Sequence, residues 1–360
     1  MRPEATSSGR IASLDQFRGY TVAGMILVNF LGGFQEIHLI LKHRNTYCSY
    51  ADTIMPQFFF AVGFAYRLTF LRRLARDGFR MAAESAIRRN LGLILVGFVV
   101  YHLGGRYEHW SDLRNTGPIA LIAQAFRREP FQALVHIAIA SLWVLPVIAA
   151  GRSARIGWMI GSGALHLALS WWFYREWAWT TPVIDGGPLG FLSWTIPLLV
   201  GSLAYDAVVG TADRLKGAGK LAGWSIVLML AGYGLSSAGG EWAPPPFVPP
   251  PDGTIPDLWT MSQRTGSTSY LTFAAGFSTA AYALFVLACD LGGWGNRVFR
   301  TFGVNALAAY VIHSIVAGAV KPYVPNDSPL WYVVLAFSLY FLICYAFNRY
   351  LEEHRIFLKL

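Results

Sequence analysis

Histidine exchanges a proton near neutral pH, and a carboxylate beside it can fix its tautomer. In this chain His43 and Asp52 lie within a short loop's reach of each other. The same polar stretch holds His38, Lys42, Arg44 and Asn45, with Pro56 just inside the apolar run that follows. Such a pair could act as a general base, and a merely solvated loop histidine is the competing reading. Two further groups fall within or beside apolar runs, where polar side chains are costly and therefore candidates for function. One is Asp15, Arg18 and Asn29. Asp15 and Arg18 are spaced to pair on one helix face, so a structural role is favoured for them; Asn29 lies deeper, just before Gly32-Gly33. The other is Asn305, Tyr310 and His313, in which Asn305 and His313 fall on roughly one face of a helix. A hydrogen-bonded core histidine and a site histidine are equal readings there.

Asp185, Asp206 and Asp290 stand near the ends of apolar runs, where capping or exposure to water is expected. The three cysteines do not build a disulfide framework or a Cys-x-x-Cys metal motif. Cys289 and Cys344 lie in apolar runs as core fillers, and Cys48 lies in a polar loop, more simply a bystander than a catalytic thiol. No close His/Asp/Glu spacing resembles a zinc ligand set, so no metal and no tightly bound cofactor is expected.

The elements that must position these residues follow from composition. Of 360 residues 54% are hydrophobic and only 14% charged, against about 25% charged in a soluble domain. Apolar runs recur near 17–34, 52–71, 88–104, 131–150, 156–174, 189–207, 221–238, 270–290, 302–320 and 330–348. Each approaches the roughly 20 residues that span a bilayer as helix. The sequence therefore predicts an all-α, polytopic transmembrane bundle of about ten helices, forming a single integral-membrane domain over residues 1–360. The first 16 residues are polar and precede a retained membrane helix rather than a cleaved leader.

An even helix count puts both termini on one side. Lys and Arg are about twice as frequent in the loops of that side, with Arg72, Arg73, Arg76, Arg80, Arg88 and Arg89 in one of them. Cytoplasmic loops carry such an excess, so both termini are expected in the cytoplasm. The net charge of +9 is then a matter of topology, and nucleic acid is not an expected partner. The outer loops are 35–51, 105–130 and 239–269. The second contains Tyr107, Glu108, His109, Trp110, Asp112 and Arg114, a mix suited to covering a site. The third carries Pro244-Pro245-Pro246 and Pro249-Pro250-Pro251, which favour a stiff spacer without chemistry. No strong internal repeat supports a transporter built from duplicated halves, although a transporter or channel for a small polar solute would also explain ten helices with buried polar groups.

The order of the polar residues is more specific than any one of them. Ser13-Leu14-Asp15-Gln16-Phe17-Arg18-Gly19, followed by Met25, Val28-Asn29 and Gly32-Gly33, resembles the opening of the transmembrane heparan-α-glucosaminide N-acetyltransferase family and its bacterial relatives. The likeness continues through Lys42-His43, Ala51-Asp52, Pro56, Phe58 and Gly63. It runs on through Asp185-Gly186-Gly187-Pro188-Leu189-Gly190 with Gly201, and Ile255-Pro256 with Leu258-Trp259. It ends in Gly303-Val304-Asn305-Ala306-Leu307 with Tyr310-Val311 and His313, and Arg355-Ile356-Phe357. It thus spans the chain from about residue 11.

The resemblance implies transfer of an acetyl group from cytosolic acetyl-CoA, as co-substrate, to the amine of an amino sugar or glycan on the outer side of the membrane. It places the family's active-site histidine on His43 and its neighbouring asparagine on Asn29; Asp52 would orient the imidazole. A multi-pass protein of a bacterial inner membrane is the implied location, with the lipid bilayer as partner and a homodimer left open. This sequence departs from the family in a longer stretch between Asn29 and His43. After the histidine it reads Arg44-Asn45-Thr46-Tyr47-Cys48, and Val135-His136 stand where a Gln-Arg pair is expected. The large luminal domain has no counterpart, and His38 is a minor rival to His43.

Overall fold

The computed structural model describes residues 11–102, 109–125, 131–181, 183–211, 213–240, 242–251 and 253–358. Tyr107 and Glu108 of the second outer loop lie outside the described residues. Among the described residues all regular structure is helical. The helices are α1 (Ala12–Leu31), α2 (Tyr50–His102), α3 (Trp110–Asn115), α4 (Pro118–Ala125), α5 (Ala133–Trp143), α6 (Arg152–Leu169) and α7 (Arg175–Thr180). They continue with α8 (Phe191–Val209), α9 (Arg214–Ser236), α10 (Thr268–Phe285), α11 (Arg297–Val304), α12 (Ala306–Val320) and α13 (Leu330–Glu353). Wide turns at Ser170–Tyr174 and Val286–Leu291 prolong α6 and α10. Six described helical stretches are long and apolar enough to cross a membrane: Tyr50–Tyr101, Gly187–Val209, Arg214–Ser236, Thr268–Leu291, Ala306–Tyr323 and Leu330–Glu353. A membrane-embedded helix bundle is the architecture these features support.

Boundaries differ from the expected ones in several places: the run 131–150 is helix only over Ala133–Trp143, and the expected loop 105–130 carries α3 and α4. Residues 72–87, read as a loop, continue as helix, because Arg, Ala, Leu and Met are strong helix formers whatever their charge. The chain breaks only at Gly78, whose φ of 78° is open to glycine. The run 302–320 is not one helix: Asn305, at φ −129° and ψ 47°, separates α11 from α12.

Helices approach closely at reciprocal glycines. A Cβ on Gly63 of α2 would overlap the Leu198 carbonyl of α8, and one on Gly201 of α8 would overlap the Phe60 carbonyl of α2. Gly19 and Gly303 do the same for α1 and α11. Small residues at a crossing let backbones touch, the main source of packing between helices where lipid is as apolar as the side chains. The interior near these crossings is filled by rings: Phe17, Phe60, Phe64 and Tyr282 are fully buried, with Phe17 and Tyr282 centroids 5.4 Å apart.

The two ends of the bundle differ in charge. At the end where α1 starts and α13 finishes, Ser13 gives its N–H and hydroxyl to Asp290 at 3.0 and 2.7 Å, so Asp290 caps α1, in line with the capping role expected of it. Asp206 does not face water alone as expected; it pairs with the fully buried Arg155 and with Arg67 at 3.2 Å. A buried guanidinium left without a carboxylate is far costlier than the pair. Arg18 and Asp15 form the expected pair at 3.8 Å. The Gly78 turn with its arginines lies about 40 Å of helix from Tyr50 at the opposite end.

Candidate active site

The start of α2 builds the first part of the site. Ser49 precedes the helix, and Asp52 stands three residues on, an S-x-x-D capping pattern. Asp52 Oδ2 accepts from the Ser49 N–H and hydroxyl, both at 2.9 Å, while the Asp52 N–H donates to Ser49 Oγ at 3.3 Å. The cap thus leaves Oδ1 for His43, whose Nδ1 lies 2.9 Å away. Pro56 has no N–H, so the carbonyl of Asp52 loses its helical partner; Tyr270 of α10 replaces it, its hydroxyl donating at 2.6 Å. Asp52 is 1% exposed, whereas 46% of the His43 side chain is open, onto a recessed cavity. Burial alone would lower the imidazole pKa; the Asp52 carboxylate, by hydrogen bond and charge, together with the Asp185 charge and Gln263, outweighs it and holds His43 above its ordinary 6.5.

Asn29, near the end of α1, meets α12 rather than His43. His313 Nδ1 faces the Tyr310 carbonyl. A carbonyl only accepts, so the ring proton sits on Nδ1 and Nε2 is left as an acceptor. The Asn29 amide donates to that Nε2 over a long 3.4 Å, and Lys321 Nζ caps the Asn29 carbonyl at 2.7 Å. Tyr310 in turn bonds the hydroxyl of Tyr101 at the far end of α2.

A third wall comes from the turn before α8. Asp185, expected at a cap or in water, is only 7% exposed and faces the cavity. Its φ of 57° and those of Gly186 (86°) and Gly187 (58°) reverse the chain within three residues, a left-handed conformation that Asp tolerates better than most side chains. Trp194 Nε1 donates to the Asp185 carbonyl at 2.7 Å, and the Gly186 N–H to that of Arg264 at 3.1 Å. The turn is thereby locked to the end of the proline-rich segment, where Gln263 Nε2 donates to Asp185 Oδ1 at 2.6 Å. Burial raises the Asp185 pKa, while Gln263 and His43 oppose the rise.

These walls enclose a cavity of about 680 Å³, within the usual range for a small-molecule site. His43, Asn29, Asn45, Asp185, Gln263, Arg264 and His313 are among its polar residues; Met25, Ile54, Met55, Phe58, Ile137 and Val183 supply apolar surface. A histidine backed by a buried carboxylate, facing amide groups in a sheltered pocket, can take a proton from a bound nucleophile. Among the described residues no set of three His, Cys, Asp or Glu side chains gathers to hold a metal ion.

Of the residues singled out by sequence, His43, Asn29, Tyr310 and His313 line this cavity, and Asp52 reaches it through His43. Asn305 does not join them, because the break between α11 and α12 removes the shared face; it ties down the C-terminal segment through Ile356 and Leu358. His38 is exposed and accepts from the Ile40 N–H in its own turn. Cys48 is fully buried outside the lining, and burial, then the Asp52 charge, pushes its thiol well up. His136 is buried beside Trp194, and the cavity is met one turn earlier by Gln132. The segment 239–269, read as a spacer, does more than that: it supplies Gln263 and Arg264. Its prolines drew the reading, and two polar residues ahead of an apolar run were the only sign of the rest.

No protein-family model matches the sequence, and comparison with curated proteins yields no match.

Proposed function

We propose that this chain is a multi-pass membrane acetyltransferase, related to the transmembrane heparan-α-glucosaminide N-acetyltransferases, that moves an acetyl group from cytosolic acetyl-CoA to an amine on the outer side. The observation that carries the reading is the His43–Asp52 pair at 2.9 Å on the wall of a partly apolar cavity shared with Asn29. An amine attacks a thioester only as its free base. In the proposed step the amine nitrogen bonds to the acetyl carbonyl carbon and its proton passes to His43 Nε2. The C–S bond then breaks, and the proton goes on to the departing CoA thiolate. A positioned base is worth about 10²–10⁴-fold. Asn29 retains one amide N–H beyond its bond to His313, which suits it to the developing oxyanion. Asp52 touches no substrate; it holds the imidazole and favours its charged form.

With about ten spans, the charge bias favours both termini and the Gly78 turn in the cytoplasm, as in a bacterial inner membrane. His43 and Asn29 would then face outward.

The test is turnover. Purified protein given labelled acetyl-CoA and a panel of amino sugars and amino-glycans should release free CoA, and His43→Ala should abolish release while remaining monodisperse. Full activity in that variant would remove His43 from the role. Wild-type protein that neither binds acetyl-CoA nor releases CoA would overturn the transferase reading in favour of solute transport.

A further inference from the structure

Asp185 is the only carboxylate among the described residues that line the cavity. Its Oδ1 takes the Gln263 amide, while Oδ2 accepts no hydrogen bond from a described residue. Gln263 gives its side-chain N–H to Asp185, while its own Oε1 is buried away from the cavity. The same Gln263 side chain lies against the His43 imidazole. Asn45 Oδ1, also at the wall, is turned to accept from the Arg264 N–H at 3.1 Å. The Asp185 carboxylate therefore gives this side of the cavity a negatively charged acceptor, while the Arg264 guanidinium is turned onto the Ala178 and Thr181 carbonyls and the Trp179 ring. A hydroxyl both donates and accepts, whereas an ammonium group has three donors and no acceptor. The wall is complementary to the second.

We propose that the Asp185 carboxylate, held in place by Gln263, captures the acceptor's amino group as an ammonium ion beside His43, so that amino sugars are selected over neutral sugars. The inference rests on the acetyl-transfer reading for the use of the site, but the binding itself does not. Over the full reaction RNH₃⁺ and the thioester give the amide, the CoA thiol and one proton. That proton passes from the ammonium to solvent water before attack, and a second N–H proton moves through His43 to the thiolate. Asp185 takes no proton in this scheme; it fixes the nitrogen where the base can reach it.

The left-handed turn makes the substitution clean, since asparagine also accepts this conformation and the Trp194 bond is to the backbone carbonyl. Glucosamine binding to the acetyl-CoA-free protein in detergent, followed by calorimetry, should exceed glucose binding by at least about tenfold, as expected for loss of a hydrogen bond to a charged group. Asp185→Asn should lose most of that preference, Gln263→Ala part of it, and His43→Ala should keep it. Equal binding of glucosamine and glucose by the wild type, or undiminished glucosamine binding by Asp185→Asn, would overturn the proposal. Asp185-dependent glucosamine binding without any acetyl transfer would uphold the subsite and defeat the transferase reading alone.

Discussion

His43 Nδ1 and Asp52 Oδ1 stand 2.9 Å apart, and the other oxygen of the same carboxylate closes the N-terminus of α2. The orientation of the imidazole is therefore tied to the start of a long helix rather than to a loop. That coupling sets the pH behaviour. A base must be neutral to act, so activity should rise with pH through the His43 pKa, which the Asp52 carboxylate holds above 6.5 against the opposing effect of burial. Asp52→Asn removes the largest raising influence and leaves the burial, with only Asp185 and Gln263 still opposing it. The rising limb of the pH–rate profile should move to lower pH, while the plateau rate falls by part of the about 10²–10⁴-fold a positioned base supplies. An unshifted limb in that variant would mean that His43 is not the titrating group.

Asn29 and His313 should act as a unit. Removal of an oxyanion donor costs about 10²–10³-fold in kcat, which is the expectation for Asn29→Ala with acetyl-CoA affinity retained. His313→Ala takes away the acceptor that fixes the Asn29 amide. It should lower kcat in the same direction by less, and add little when combined with Asn29→Ala, because the partners share one function. Steady-state kinetics of the two single variants and the double variant measure this directly; full additivity would separate the two residues.

The proposed orientation makes a labelling prediction. Cys48, Cys289 and Cys344 are buried, so an impermeant maleimide should react chiefly with introduced cysteines. Phe79, next to the Gly78 break, and Ile255, in the proline-rich segment, are both exposed, at 56% and 87%. In intact cells Ile255→Cys should label at once, and Phe79→Cys only after permeabilisation. The reverse pattern would invert the topology and put His43 in the cytoplasm.

Sequence showed the helical architecture more fully than the site. Long apolar runs define helices by burial alone, which is why most of the ten expected runs fall largely on helix. The run 131–150, however, is helical only over Ala133–Trp143, and six described stretches are long and apolar enough to span. Charge was a poorer guide to helix ends, since Arg72 to Arg76 continue α2. His43 and Asp52 could be paired because a short loop constrains their separation. Gln263 and Asp185 could not, since their contact joins two turns 78 residues apart and depends on the left-handed reversal at Asp185–Gly187. The S-x-x-D pattern at Ser49–Asp52 was present as a capping signal, but a cap does not announce that the spare oxygen will hold a histidine. Asn305 misled for the opposite reason: face arguments assume an unbroken helix, and the residue itself is the break.

The Asp52 carbonyl gives the last prediction. Pro56 leaves it without a helical donor, and the Tyr270 hydroxyl fills the gap at 2.6 Å from α10. Tyr270 is fully buried, so Tyr270→Phe would leave an unpaired carbonyl inside the bundle, at a cost of about 1–3 kcal/mol. The phenyl ring keeps the packing, so the loss should fall on the hydrogen bond. Thermal unfolding in detergent should show the drop. Pro56→Ala alone should be tolerated, because alanine restores an N–H to the same carbonyl, and in the Tyr270→Phe background it should recover part of the lost stability. The same rescue should extend to turnover, since the carbonyl, the cap and the carboxylate that holds His43 all belong to Asp52 or its immediate turn. Stability restored without any recovery of kcat would show that the α10 contact supports the helix start but not the orientation of the imidazole.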